Sequence, residues 1–215
     1  MIRAEKGPAR QVLNTKLSVL MKLSSSLIML RKRSCIREKP FGVLIYGPSS
    51  VGKSSINNLM VKAILSANGL PSGKESCVVM NANDKFQSEY RPHHVAVTMD
   101  DFGNTRPEHC EAPQTNVIID FVNNVPKAAL NPEADKKGNI MIQPKLFTVT
   151  TNVKNLMAPV YSNEPVSILR RFELVIDVAL KPEHTDPETG GPRRPRPNEP
   201  PLPSIWQLKL QREIS

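Results

Sequence analysis

Nine consecutive residues, Gly47-Pro48-Ser49-Ser50-Val51-Gly52-Lys53-Ser54-Ser55, fit the pattern G-x-x-x-x-G-K-[ST]. The two glycines let backbone N–H groups curl around an anion, and a helix opening at Lys53 would aim its positive end at the same point. An ammonium at Lys53 suits the β- and γ-phosphates of a nucleoside triphosphate, and a hydroxyl at Ser54 suits its Mg²⁺. Such chemistry needs a carboxylate nearby. Val95–Met99 is an apolar run that leads straight into Asp100-Asp101, where one acid would position the metal and the other would polarise an attacking water. We assign Asp100 to the metal and Asp101 to the water. A third polar group, Asn152, ends the run Leu146–Thr151; an amide at that tip can bond a γ-phosphate or a water, although asparagine also ends strands for turn reasons.

These groups need elements to hold them. Phe41–Tyr46 (FGVLIY) is nearly continuous in apolar residues, as a buried parallel strand requires. Lys53–Ala67 reads as a helix that stops near Asn68-Gly69. Cys77–Met80, Val95–Met99, Leu146–Thr151 and Phe172–Val178 supply further strands, and Glu111–Asn124 is a helix candidate. The alternation predicts an α/β fold, a five-stranded parallel sheet flanked by helices, which the phosphate-loop pattern makes a P-loop NTPase. Ile205–Leu210 (IWQLKL) alternates and adds an edge strand after a linker.

Composition divides the chain into three. Residues 1–40 carry ten Lys/Arg against two acids, residues 41–180 are balanced, and residues 181–215 are near balance. The basic segment 1–40 contains an amphipathic helix, with Leu13, Leu17, Leu20, Met21, Leu23, Leu27 and Leu30 on one side and Arg31–Arg33 at its end. Its stripe suits a packing face or a membrane surface, and its charge suits RNA phosphates or anionic headgroups. Residues 41–181 form the core. Residues 182–215 begin with eight prolines between Pro182 and Pro203, an extended linker before the terminal strand. Cys35, Cys77 and Cys110 lack C-x-x-C spacing, which argues against a disulfide framework or a zinc site. The sequence shows no signal peptide and no apolar run of about 18 residues. His93 and His94 lack metal partners and are expected at the surface; Trp206 is expected to pack the terminal strand on the core; Gly103 shapes the turn after Asp101.

GPSSVGKS, MDDFG at Met99–Gly103 and TVTTN at Thr148–Asn152 resemble motifs A, B and C of superfamily 3 helicases. KPFGVLIYGPSSVGKS, KGNIMIQPKLFTVTTN and RRFELVID resemble the non-structural helicase of picornaviruses and their invertebrate relatives, over about residues 10–182. The resemblance implies an AAA+-like fold and an ATP- and Mg²⁺-dependent RNA helicase acting in viral genome replication. It makes Lys53 and Ser54 the motif A lysine and serine, Asp100 and Asp101 the motif B acids, and Asn152 the motif C sensor. Arg170 and Arg171, just before a strand, look like the arginine finger pair that reaches a neighbour's nucleotide in a homo-hexameric ring; two arginines closing a helix are the plainer reading. Lys136 and Lys137 fall where the family places a pore hairpin that meets single-stranded RNA, and they equally suit a solvated turn. The cysteine-rich zinc segment of some picornavirus members has no counterpart here. The resemblance also implies a place in the host cytoplasm at membrane-associated replication complexes, with other viral replication proteins as partners. An ATP-gated scaffold that ties RNA or membrane to such a complex, without unwinding, needs the same site. A DNA virus replication protein of the same superfamily would share it too, although no origin-binding segment accompanies this core.

Overall fold

Val43, Leu44 and Ile45 are fully buried, so the strand that carries them, β1 (Phe41–Tyr46), needs neighbours on both edges and cover on both faces. In the computed structural model, which describes residues 8–33, 37–84, 86–110, 112–131, 140–193 and 205–211, it has both. The strands in chain order are β1, β2 (Cys77–Met80), β3 (Ala96–Phe102), β4 (Leu146–Thr151), β5 (Leu174–Leu180) and β6 (Trp206–Gln211). They form one sheet in the order β2-β3-β4-β1-β5-β6. β1 pairs in parallel with β4, Phe41 opposite Leu146, and with β5, Val43 opposite Leu174. Five strands are parallel, as expected. The sixth is antiparallel to β5, with Leu180 opposite Trp206. The fold is a P-loop NTPase-like α/β sheet flanked by helices.

The helices are α1 (Pro8–Arg33), α2 (Lys53–Ala67), α3 (Thr115–Phe121), α4 (Ala158–Tyr161) and α5 (Val166–Leu169). Alternate strand residues face opposite layers. Val43, Ile45, Ala96, Leu146 and Ile176 pack with Ile56, Val61 and Leu65 of α2. On the other face Leu44, Val97, Met99, Phe147 and Val149 pack with Tyr90, Ile118 and Phe121. Each side chain of this size taken out of water contributes about 1.5–3 kcal/mol, which is what fixes the strand register.

Three expectations are corrected. The third strand continues past Met99 through both acids to Phe102, because its last turn is held by side-chain bonds described below. The fifth begins two residues late, at Leu174, since Arg171 and Phe172 close a turn by donating their N–H groups to Ile168 and Leu169 carbonyls. The helix expected over Glu111–Asn124 is only Thr115–Phe121. Pro113 disfavours helical backbone at Ala112, and the Asn123 carboxamide takes the N–H groups of Asn124 and Val125 at 2.8 and 3.3 Å.

In the N-terminal region the expected amphipathic helix is present, and Arg37 departs from the picture of a uniformly solvated basic arm. Helix α1 forms, and its apolar stripe is uncovered in this chain: Leu13, Leu20 and Leu27 are 66%, 63% and 63% exposed. Arg37, by contrast, is 4% exposed. Its guanidinium donates to the carbonyls of Asn123, Ile142 and Asp120 at 2.7, 2.8 and 2.8 Å. Burial pushes its pKa down, and Tyr90 and Asp120 push back. It is a staple between β1's approach and the end of α3. No described helix is long and apolar enough to cross a membrane.

Candidate active site

β1 ends at Tyr46, and the chain leaves the sheet through Gly47, whose N–H bonds the Thr151 carbonyl at 3.2 Å. A methyl group at Gly47 would lie 2.4 Å from the Val178 carbonyl oxygen, so no side chain fits where the loop passes β5. The loop then turns through Ser50 (φ 64) and Gly52 (φ 88) into α2. No side chain caps this helix and no acid occupies its first turn. Its leading N–H groups therefore face the loop interior, the arrangement that attracts an anion.

Lys53 is 8% exposed. Its ammonium donates to the Pro48 carbonyl at 2.7 Å and to Asn152 Oδ1 at 2.5 Å. Burial lowers its pKa, while Asp101 and Asp100 act in the opposite sense and favour the charge. Ser54 Oγ donates to both oxygens of Asp100, at 3.0 and 3.1 Å. The Thr150 hydroxyl also donates to Asp100 Oδ1. Asp101 sits at φ 53, and its N–H donates to Thr150 Oγ1 at 2.9 Å. The register between β3 and β4 shifts between Met99 and Phe102. That irregularity turns the two successive acids toward the same mouth instead of opposite faces. Asn152 Nδ2 donates to Asp101 Oδ1 at 3.3 Å and to Asn104 Oδ1 at 3.1 Å. Ser49, Ser50, Gly52, Lys53, Ser54, Ser55, Asp100, Asp101, Thr150 and Asn152 line one cavity of about 410 Å³. A slightly larger cleft, about 460 Å³, lies away from it against Asn83, Gln87, Gln114 and Lys127 and gathers none of these groups.

Threonines supply a support that sequence reasoning missed. Thr98 and Thr148 share a buried hydroxyl contact at 2.8 Å, and Asn57 Nδ2 of α2 donates to Thr98 at 3.2 Å. Thr151 Oγ1 donates to the Phe102 carbonyl at 2.7 Å. These bonds tie α2, β3 and β4 together directly beneath the loop. The signal was present in the sequence as T-V-T-T, a polar run inside an otherwise apolar strand.

Arg170 and Arg171 do not join this site. They precede β5 at the N-terminal end of the parallel strands, next to Gly42, whereas the loop leaves their C-terminal end. A six-residue strand separates the two ends by about 20 Å. Arg170 is exposed; Arg171 is half-buried and donates to the Val122 carbonyl. Lys136 and Lys137 lie outside the described residues. The segments flanking them pair as an antiparallel bridge between Ala128 and Met141. His94, expected at the surface, is half-buried, and its Nδ1 accepts from the Arg91 N–H at 3.0 Å. Trp206 packs on the core as expected, and its indole N–H also donates to the Val51 carbonyl inside the loop.

The sequence profile of the RNA helicase family matches residues 43–153, from the third residue of β1 to the residue after Asn152. The chain belongs to the superfamily 3 viral RNA helicases. It is 29% identical over 151 residues to the RNA1 polyprotein of Tobacco ringspot virus, covering 69% of this chain and 6% of the polyprotein. It is 32% identical over 99 residues to the RNA1 polyprotein of Raspberry ringspot virus (strain cherry), covering 46% of this chain and 4% of that polyprotein. The helicase domain thus spans a small part of these relatives. The stretch matched by the family profile contains the phosphate loop, both acids and the asparagine, and stops short of Arg170 and Trp206.

Proposed function

We propose that this helicase domain hydrolyses ATP with Mg²⁺ in a homo-hexameric ring and uses the cycle to translocate on or remodel single-stranded RNA during genome replication. The observation that carries the reading is the hydrogen-bonded ring at the uncapped start of α2: Lys53 to Asn152, Asn152 to Asp101, and Ser54 to Asp100. The donor set fits the ligand. A phosphate chain meets backbone N–H groups and one ammonium, and a hard cation meets a hydroxyl and a carboxylate already within bonding distance of one another.

In this mechanism the amides of Gly47–Ser55 and the Lys53 ammonium hold the β- and γ-phosphates. Ser54 and Asp100 hold the metal, with Thr150 orienting the carboxylate. Mg²⁺, when bound, contributes charge that polarises the phosphate oxygens. Asp101 takes a hydrogen bond from the attacking water, and Asn152 fixes both that carboxylate and Lys53. Arg170 and Arg171 stand at the far end of their own sheet and so do not act within the same subunit; in this reading they serve the site of a neighbouring subunit, and turnover depends on assembly. Arg171 must leave the Val122 carbonyl to do so, which makes Arg170 the readier of the two. Lys136 and Lys137 contact the RNA backbone.

A second reading, an ATP-gated scaffold, draws support from α1, whose leucine face is exposed and whose segment is basic. Residues 1–40 would then hold a membrane surface or another viral replication protein. Equilibrium titration of Mg-ADP into wild type and Lys53→Ala tests the shared premise. Binding that is lost with the lysine supports the site; no binding by wild type, or binding indifferent to Lys53, overturns it.

A further inference from the structure

The parallel strands deliver their C-terminal ends to the phosphate loop, and β6, running the other way, begins there. Its first residue, Trp206, pairs with Leu180 at the end of β5, and Lys181 N–H bonds the Ile205 carbonyl at 2.9 Å. At the strand's other end Gln211 Nε2 bonds Asp177 Oδ2 at 2.9 Å. The register is therefore pinned on both sides of Trp206, the one tryptophan of the chain. Its indole Nε1–H donates to the Val51 carbonyl at 2.7 Å. The same ring lies on Gly52: a methyl group there would meet Nε1, Cζ2 and Cε2 at 3.1, 3.3 and 3.5 Å.

The consequence follows from peptide geometry. No described peptide bond is cis, and in a trans peptide the C=O and N–H point to opposite sides. With the Val51 carbonyl drawn outward onto the indole, the Gly52 N–H must point inward. Gly52 lines the cavity with Lys53 and Ser54, whereas Trp206 does not. The Gly52 N–H donates to no other group of the described chain. Glycine at φ 88 permits the opposite peptide orientation at little cost, and that orientation would put a carbonyl oxygen where the phosphate needs a donor.

We propose that Trp206 is a positioning residue of the nucleotide site, whose indole N–H locks the Val51–Gly52 peptide so that the Gly52 N–H faces the phosphates. The inference rests on the phosphate-loop reading above, and it makes the terminal strand part of the site. The indole acts on the loop backbone and not on the base, so it affects any ligand carrying a β-phosphate alike.

The test uses the full chain with Trp206 replaced by 3-benzothienylalanine, which keeps the ring shape and removes only the N–H, beside Trp206→Phe. Calorimetry measures binding of Mg-ADP and Mg-pyrophosphate, and scanning calorimetry follows the free protein. The expected result is a loss of affinity of roughly tenfold for both ligands with the benzothienyl analogue, the size of one hydrogen bond to a carbonyl. The KM for ATP rises by a similar factor while kcat stays within about twofold, and the midpoint of unfolding falls by no more than about 4 °C, the share of one hydrogen bond of the free chain. A merely structural tryptophan would lower the midpoint and spare the affinity of the folded chain. Wild type binding neither ligand would defeat the phosphate-loop reading itself. Wild type binding both, with the analogue indistinguishable, would defeat only the role of Trp206. Loss confined to ADP would also overturn it, because the indole would then be meeting the base.

Discussion

Asn152→Asp replaces one amide with an oxygen of nearly the same shape, yet the proposed mechanism makes it a severe change. In the wild type, Asn152 Nδ2 donates to Asp101 Oδ1 at 3.3 Å while Oδ1 accepts from Lys53 at 2.5 Å. The substitution keeps the second bond and turns the first into an encounter between two carboxylates. At about 4 Å and an effective dielectric of about 20, two like charges repel by roughly 4 kcal/mol. The Lys53 ammonium, nearer still, offsets this repulsion, but the added carboxylate also faces the incoming γ-phosphate, and at about 5 Å and the same dielectric that costs about 3 kcal/mol. That corresponds to roughly a hundredfold loss in the hydrolytic step. Asn152→Ala removes these bonds and the one to Asn104 but adds no charge, so its loss is smaller, roughly tenfold. Single-turnover hydrolysis of Mg-ATP separates the step from product release, and ADP titration checks that the site still forms. The reasoning is refuted if Asn152→Asp slows the step less than about threefold, or no more than Asn152→Ala.

Arg37→Met leaves three carbonyls, one of them deep in the core, without their donor. The cost should be about 3–5 kcal/mol, a fall of roughly 10 °C in Tm for a domain of this size, and a fall under about 2 °C would contradict the staple. His94 is held below the ordinary imidazole value, first by burial and then by the charges of His93 and Arg91. The unfolded chain therefore takes up a proton at a pH where the folded chain does not. Stability should be flat above about pH 7 and fall as pH drops from about 6.5 toward the lowered pKa. His94→Gln should flatten that slope in urea midpoints measured across the range; an unchanged slope would assign it to other groups.

Much of this was legible because the residues that make the site also make the local structure. FGVLIY can only be a strand buried on both faces, and glycine before Lys-Ser both opens the loop and starts α2, so β1, α2, β2 and β4 lie where the pattern puts them. β3 overran its apolar run because Asp100 and Asp101 are held in the strand by Thr150, a bond made across the sheet. Pro113 was a visible reason for α3 to start late, yet the apolar period around it still suggested a longer helix. Arg37 looked like part of a basic arm; only the placement of three carbonyls from distant segments reveals why it is buried. The bond from Trp206 to Val51 joins residues 155 positions apart, and nothing local announces such a contact.

The most direct test of the central claim is ATP hydrolysis per subunit measured against protein concentration, with and without single-stranded RNA. Wild type is compared with Lys53→Ala, with Arg170→Ala/Arg171→Ala, and with a mixture of the two. The account predicts a specific activity that rises with concentration and vanishes in each variant, while the arginine variant still binds nucleotide. In the mixture activity partly returns, because intact arginines of one subunit meet an intact loop of the other. A rate independent of concentration, or one that survives the loss of Lys53, would contradict it.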